Sequence, residues 1–170
     1  GNSPSFFFDV LYDNKSGFNL SNEITTQGTV NLFDGVVMVD EQQEGAFIFL
    51  KGSNHINTSD KSHVNGEVRK EGNESFSYPI GKEGFYRMAS ISAPASESDL
   101  YTGEYMLDDN NPIYDVASKT KIIDKIDNKE YWIINKKSES NSNVVVTLTW
   151  DERTTPDFLL GDNAERLQVV

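Results

Sequence analysis

Cysteine is missing from this chain of 170 residues, which excludes a disulfide framework and a thiolate metal site and leaves the redox compartment open. Histidine is scarce. His55 and His63 are the only two, both in one polar stretch, and a hydrolytic triad needs a histidine set between a nucleophile and an orienting carboxylate. No Gly-x-Ser-x-Gly elbow, no Gly-x-x-x-x-Gly-Lys-Ser/Thr phosphate loop and no His-Glu-x-x-His zinc pattern occurs. Positive charge is outweighed: 27 acidic residues stand against 15 basic ones, a formal net charge of −12 that nucleic-acid backbones and anionic bilayers would repel. There is no run of about 18 apolar residues and no basic-then-apolar leader, so no segment reads as membrane-spanning or as an export signal. Carboxylate pairs of the glycosidase kind carry no signal here, because acids are everywhere and a solvated acidic surface explains them. The expectation is a non-catalytic protein with no cofactor, no nucleic-acid partner and no membrane insertion.

Glycine and short apolar runs, by contrast, recur. Gly17, Gly28, Gly35, Gly45, Gly52 and Gly66 punctuate the first part of the chain. Between them lie Phe18-Asn19-Leu20, Thr29-Val30-Asn31-Leu32-Phe33, Val36-Val37-Met38-Val39 and Ala46-Phe47-Ile48-Phe49-Leu50. Glycine reaches the positive φ of tight turns, and β-branched and aromatic residues suit a pleated, half-buried surface. One short strand per turn predicts a solenoid-like ladder over residues 1–63. Ser5 to Tyr12 alternates, which would place Phe6, Phe8, Val10 and Tyr12 on one face of one strand. The polar stretch from Ser53 to Asn65 reads as a loop or a seam between domains.

From Gly66 the spacing changes. Ser75-Phe76-Ser77-Tyr78-Pro79-Ile80, a tight Gly81-Lys82-Glu83-Gly84 and Phe85 to Ile91 resemble a hairpin, and longer strands are expected at Leu100 to Leu107, Tyr131 to Asn135 and Val144 to Trp150. That pattern predicts an antiparallel β-sandwich over residues 64–170, all-β with the ladder, either as a second domain or sharing one core with it. Ile113 to Ile126 is the one helix candidate, and its apolar spacing is irregular. Gly1-Asn2-Ser3-Pro4 has linker composition and Arg166 to Val170 stops within a strand-like run, so the chain reads as a piece of a longer parent.

The motifs Gly28-Thr29-Val30-Asn31-Leu32, Ser62 to Lys70, Phe76-Ser77-Tyr78-Pro79-Ile80-Gly81, Tyr86-Arg87, Glu130-Tyr131-Trp132 and Val146-Thr147-Leu148-Thr149-Trp150-Asp151 come in an order that resembles a module of very large Bacteroidota surface proteins. Those parents are exported by the type IX secretion system and include adhesins of gliding cells. The resemblance spans most of the chain. It implies an extracellular, cell-surface location, neighbouring modules of the parent as partners, and a structural or adhesive role. It assigns no catalytic or ligand-binding residue.

Two groups remain as candidate sites. Trp132 and Trp150 are packing residues if buried; if exposed, they are the ligand-binding residues of a carbohydrate-binding module, with polysaccharide as partner. Asp108, Asp109, Asn110 and Asp115 offer hard oxygen ligands of the kind calcium accepts, although their spacing does not fit an EF-hand and Asp and Asn before Pro112 also make an ordinary turn. Arg87, after Phe85-Tyr86, is expected to lie across an aromatic ring or to pair with a carboxylate.

Overall fold

A computed structural model of the chain describes residues 3–40, 42, 45–108, 123 and 126–162. The glycine-bounded runs become strands, and the strands stack in parallel. One face is built from β1 (Ser5–Phe7), β4 (Glu23–Thr26), β7 (Ala46–Phe49) and β10 (Val68–Glu71). A second carries β2 (Val10–Asp13), β5 (Thr29–Asp34) and β8 (Asn54–Ile56), and a third β3 (Phe18–Leu20), β6 (Val37–Val39) and β9 (Val64–Asn65). The chain therefore winds as a three-faced solenoid, laying one strand on each face per turn.

Parallel stacking aligns equivalent side chains in columns. Ser5, Ile24, Phe47 and Val68 stand in register, advancing 19, 23 and 21 residues per turn, with Phe7, Thr26, Phe49 and Lys70 in the next inward column. Because side chains alternate along a strand, every second position points into the tube. Val30, Leu32, Val37, Phe47, Phe49, Val64 and Val68 are fully buried there, each contributing about 1.5–3 kcal/mol of hydrophobic stabilisation. Aromatic contacts run within and between turns: Phe47 stacks on Phe49 of the same strand at 5.0 Å, Tyr12 meets Phe18 edge-on at 4.8 Å within the first turn, and Tyr12 reaches Phe47 two turns on at 5.8 Å. The corners demand glycine where coils touch. At Gly35, with φ of +94°, an added Cβ would lie 1.9 Å from the Asn14 carbonyl oxygen of the preceding turn.

Parallel contact continues past the polar stretch. Val68–Lys70 pair with Phe47–Phe49, the Val64 N–H donates to the Pro79 carbonyl at 2.7 Å, and Val64 bridges Ile80. Residues 63 and 64, where the sequence suggests a division, lie within this run of pairing. The change of direction occurs on the other edge of β10, which runs antiparallel to β15 (Leu100–Leu107). β16 (Glu130–Lys136) follows on β15, with Lys137 N–H donating to Leu100 O at 2.8 Å.

A second antiparallel sheet is formed by β11 (Phe76–Tyr78), β14 (Ala89–Ile91) and β17 (Val146–Leu148). Between β11 and β14 sits a small hairpin, β12 (Gly81–Lys82) with β13 (Phe85–Tyr86). Its two turn residues, Glu83 and Gly84, have φ of 55° and 80°, the double left-handed geometry that matches strand twist in a two-residue turn. The two sheets face one another: Gly103 of β15 leaves room for the Tyr78 ring of β11, whose Cγ an added Cβ would approach to 2.7 Å. The fold is thus all-β, a solenoid-like ladder followed by antiparallel sheets.

Three local expectations differ from the structure. Ser5 to Tyr12 is not one alternating strand: the chain turns a corner at Phe8 and Asp9, so Tyr12 is buried while Phe6 and Phe8 are exposed. The polar stretch from Ser53 contains two ladder strands, β8 and β9, held by parallel backbone pairing, with Val64 of β9 buried in the tube. The last strand is Val146–Leu148, which leaves Trp150 beyond its end. The helix candidate at Ile113 to Ile126 lies, apart from Ile123 and Ile126, outside the described residues, and no α-helix occurs among those described.

Two compact units can be distinguished, Gly1–Tyr105 with Trp132–Thr149, and Met106–Tyr131 with Trp150–Val170.

Candidate functional site

Trp132 lies on β16 directly across from Tyr105, with ring centroids 5.3 Å apart, and its indole N–H reaches the Arg87 carbonyl at 3.3 Å. The ring is half-buried and its polar atom is engaged, as suits a packing residue with one wet edge. Trp150 is different. At 52% exposure it is the large aromatic most open to solvent in the second unit's described residues.

The same unit holds an open hollow of about 510 Å³, lined among others by Lys129, Arg153, Thr154, Thr155, Asp157 and Phe158. A short 3-10 turn, Asp157–Leu159, follows Pro156, whose fixed φ begins the turn. Beneath the hollow the buried Glu130 carboxylate accepts the Thr154 hydroxyl at 2.9 Å and the Thr155 hydroxyl. Arg153 forms a forked pair with Asp151, each N–H to oxygen distance 2.9 Å. Burial raises the Asp127 carboxyl above its usual range, against the N–H groups of Lys129 and Glu130 that it accepts. The two threonine hydroxyls and the guanidinium are thus committed to neighbours, while Lys129, Glu152 and Asp157 also line the hollow.

Of the four calcium candidates the structure describes one. Asp108 is half-buried, with its N–H on the Lys129 carbonyl at 2.8 Å, and Asp109, Asn110 and Asp115 lie outside the described residues. Among the described residues no three His, Cys, Asp or Glu side chains are grouped to hold a metal ion.

Both histidines bond to backbone carbonyls of the fold. His55 sits against Phe49 and Phe76, donates from Nε2 to the Ser77 carbonyl at 2.6 Å and so accepts the Thr58 hydroxyl at Nδ1, 2.7 Å away. His63 is fully buried; Nδ1 donates to Ser59 O at 3.1 Å and Nε2 has no hydrogen-bond partner, which a neutral ring tolerates and an imidazolium would not. Burial lowers both imidazoles below 6.5, opposed by those backbone carbonyls. Arg87 is buried, with its guanidinium 5.2 Å from the Phe85 ring centroid and one N–H on the Tyr86 carbonyl at 2.8 Å.

Two polar centres had no sequence signal. Lys70 ends an inward column that a hydrophobe would ordinarily fill; its ammonium bonds Leu50 O at 2.7 Å and Glu74 at 3.0 Å, 5.3 Å from the Phe76 ring centroid. Asp99, with no exposed surface, accepts the hydroxyls of Ser138, at 2.8 Å, and Ser140, and the Ser96 N–H at 3.0 Å. Serine hydroxyls, from Ser140 and Ser142 above all, hold its carboxyl well below the usual carboxylate range. It pins the serine-rich loop between β16 and β17.

No protein-family model, no curated protein and no solved structure matches the chain.

Proposed function

We propose that this chain is a non-catalytic structural or adhesive module of a long extracellular surface protein. One observation carries the reading: among the described residues, the buried charged side chains and both histidines are held by neighbouring backbone and side-chain groups of the fold. Lys70 closes a column, Asp99 pins a loop, Glu130 ties two threonines, and both histidines are held neutral against carbonyls. A solenoid whose repeat is one strand per face gives length at low cost in sequence information, the property a spacer or display element needs. The motif order, which resembles that of Bacteroidota surface proteins, supports the proposed location, the type IX export route, the link to gliding cells and the neighbouring modules as partners, by association rather than by physics. Antibody raised against residues 1–170 should label intact cells of the source organism. Labelling only after permeabilisation would remove the extracellular reading.

A carbohydrate-binding role is the second reading, favoured by the exposure of Trp150, since a solvent-facing indole can stack on a sugar ring. A glycan array probed with the chain and with Trp150→Ala separates the two: a tight hit lost in the variant selects the sugar, and no hit retains the structural module.

A further inference from the structure

Both histidines of the chain sit at one joint, where the last turn of the ladder meets the antiparallel segment that begins with β11. His55 holds the start of that segment. Its Nε2 donates to the Ser77 carbonyl at 2.6 Å, and its Nδ1 is 2.7 Å from the Thr58 hydroxyl, an oxygen that can accept as well as donate. A proton added at Nδ1 therefore finds an acceptor. His63 lies under the hairpin of β12 and β13, so close that a Cβ on Gly81 would stand 2.7 Å from its Cδ2. Its Nδ1 is bonded to the Ser59 carbonyl, and its Nε2 is buried with no partner, so a proton added there finds none. Two backbone N–H groups seat the hairpin on the ladder: Val64 donates to the Pro79 carbonyl at 2.7 Å, and Tyr86 to the Asp60 carboxylate at 2.9 Å. The hairpin itself is small. Its strands pair at two positions, Gly81 with Tyr86 and Lys82 with Phe85, and elements with so few contacts are the ones that open locally.

We infer that His63 is an acid-operated latch: protonation of its ring releases the hairpin of β12 and β13 from the loop before β9, while His55 keeps β11 in place. The driving force is the missing acceptor. An imidazolium donates from both nitrogens, and a buried charged donor left unmet costs more than a neutral one. Lifting the hairpin lets water reach Nε2, so proton binding and opening favour each other. Burial already holds the proton affinity of the ring below its ordinary value, the sign that such linkage requires. Charged neighbours do not cancel it. The segments packed at the joint carry Asp34 on the preceding turn, Asp60 and Lys61 in the loop, Lys82 and Glu83 in the hairpin, and Arg87 just after it. Of these Asp60 acts on the imidazole and favours the proton, yet burial outweighs it. Arg87 turns to the Phe85 ring and the Tyr86 carbonyl, and burial keeps the Tyr86 hydroxyl protonated. The latch is independent of where the protein resides and of what it binds.

Amide exchange of residues 1–170 at about pH 7.5 and about pH 5.5, corrected for intrinsic rates and repeated in low urea, tests the latch. The Val64 and Tyr86 amides should open about tenfold more at the lower pH, the factor expected for one proton bound near pH 6.5 in the open form and not bound in the closed one. Low urea should leave that opening unchanged, because a hairpin lifting off exposes little surface. Amides of β5, in the middle of its sheet, should stay better protected and respond to urea. His63→Asn, whose amide can still donate to the Ser59 carbonyl, should abolish the tenfold rise, and His55→Asn should retain it. Equal opening of the Val64 and Tyr86 amides at the two pH values would overturn the proposal. So would a rise that survives His63→Asn, or one that urea enlarges as much as it does in β5, a readout on the parent chain that needs no substitution.

Discussion

Neutral histidine is the part of this interior most exposed to a change of pH. His55 and His63 both have folded-state affinities for the proton below the ordinary value of 6.5, so between the two values the unfolded chain binds more protons than the folded one. The stability they contribute is complete above 6.5 and is lost as pH falls through the lower folded values. His63 dominates, since its Nε2 is buried without a partner and protonation would place an unsatisfied donor there. The urea midpoint should therefore fall between pH 7.5 and pH 5, and a midpoint constant over that interval would contradict the assignment of neutral, buried rings. Backbone strain gives a second residue-level expectation. Gly35→Ala adds a side chain at positive φ and against the Asn14 carbonyl, so it should destabilise by about 1–3 kcal/mol from the backbone alone, read as a lower midpoint in the same titration.

Strands were legible where composition alone decides them. Thr29 to Leu32 and Ala46 to Phe49 are apolar at the positions that face the tube, Val30, Leu32, Phe47 and Phe49, and their glycine boundaries fall at corners, so both emerge from the sequence as strands. Parallel register was not legible, because it depends on which turn lies over which and no local pattern encodes an advance of 19, 23 and 21 residues. β8 and β9 were hidden for a related reason: Asn54 and Asn65 look like loop residues, yet stacking on a formed turn pairs their backbone. Of the candidate site, the aromatic identities were visible and their environments were not. Trp132 and Trp150 look equivalent in sequence, whereas one crosses to Tyr105 and the Arg87 carbonyl and the other lies past the end of its strand. The difference is measurable. Trp132→Ala should cost about 2 kcal/mol, less than a fully buried aromatic, while Trp150→Ala should stay within about 0.5 kcal/mol of the parent. Equal losses from the two variants in a denaturant titration would overturn this distinction.

Charge acts on the molecule as a whole. With 27 acidic and 15 basic residues the folded chain concentrates a net −12 that the unfolded chain spreads over a larger volume, so self-repulsion opposes folding. Most ion pairs are partly exposed, such as Lys51 with Glu97 and Arg69 with Glu23, and pairs of that kind contribute little against it. Raising sodium chloride from about 20 to 500 mM shortens the screening length from roughly 20 Å to about 4 Å and should raise the melting temperature, because repulsion is relieved over more separations than the few attractive pairs span. Calcium enters the same experiment as a separable question, because the acidic residues from Asp108 to Asp115 would answer to it specifically. Calcium and magnesium chloride at equal ionic strength screen alike, so screening alone predicts equal shifts from the two salts. A larger shift with calcium, reversed by chelator and reduced in Asp108→Asn, would instead assign the ion to that loop, since a ligand bound only by the folded state raises its melting temperature through linkage. A melting temperature unmoved by any of the three salts would mean that the acidic residues lie too far apart for their repulsion to matter.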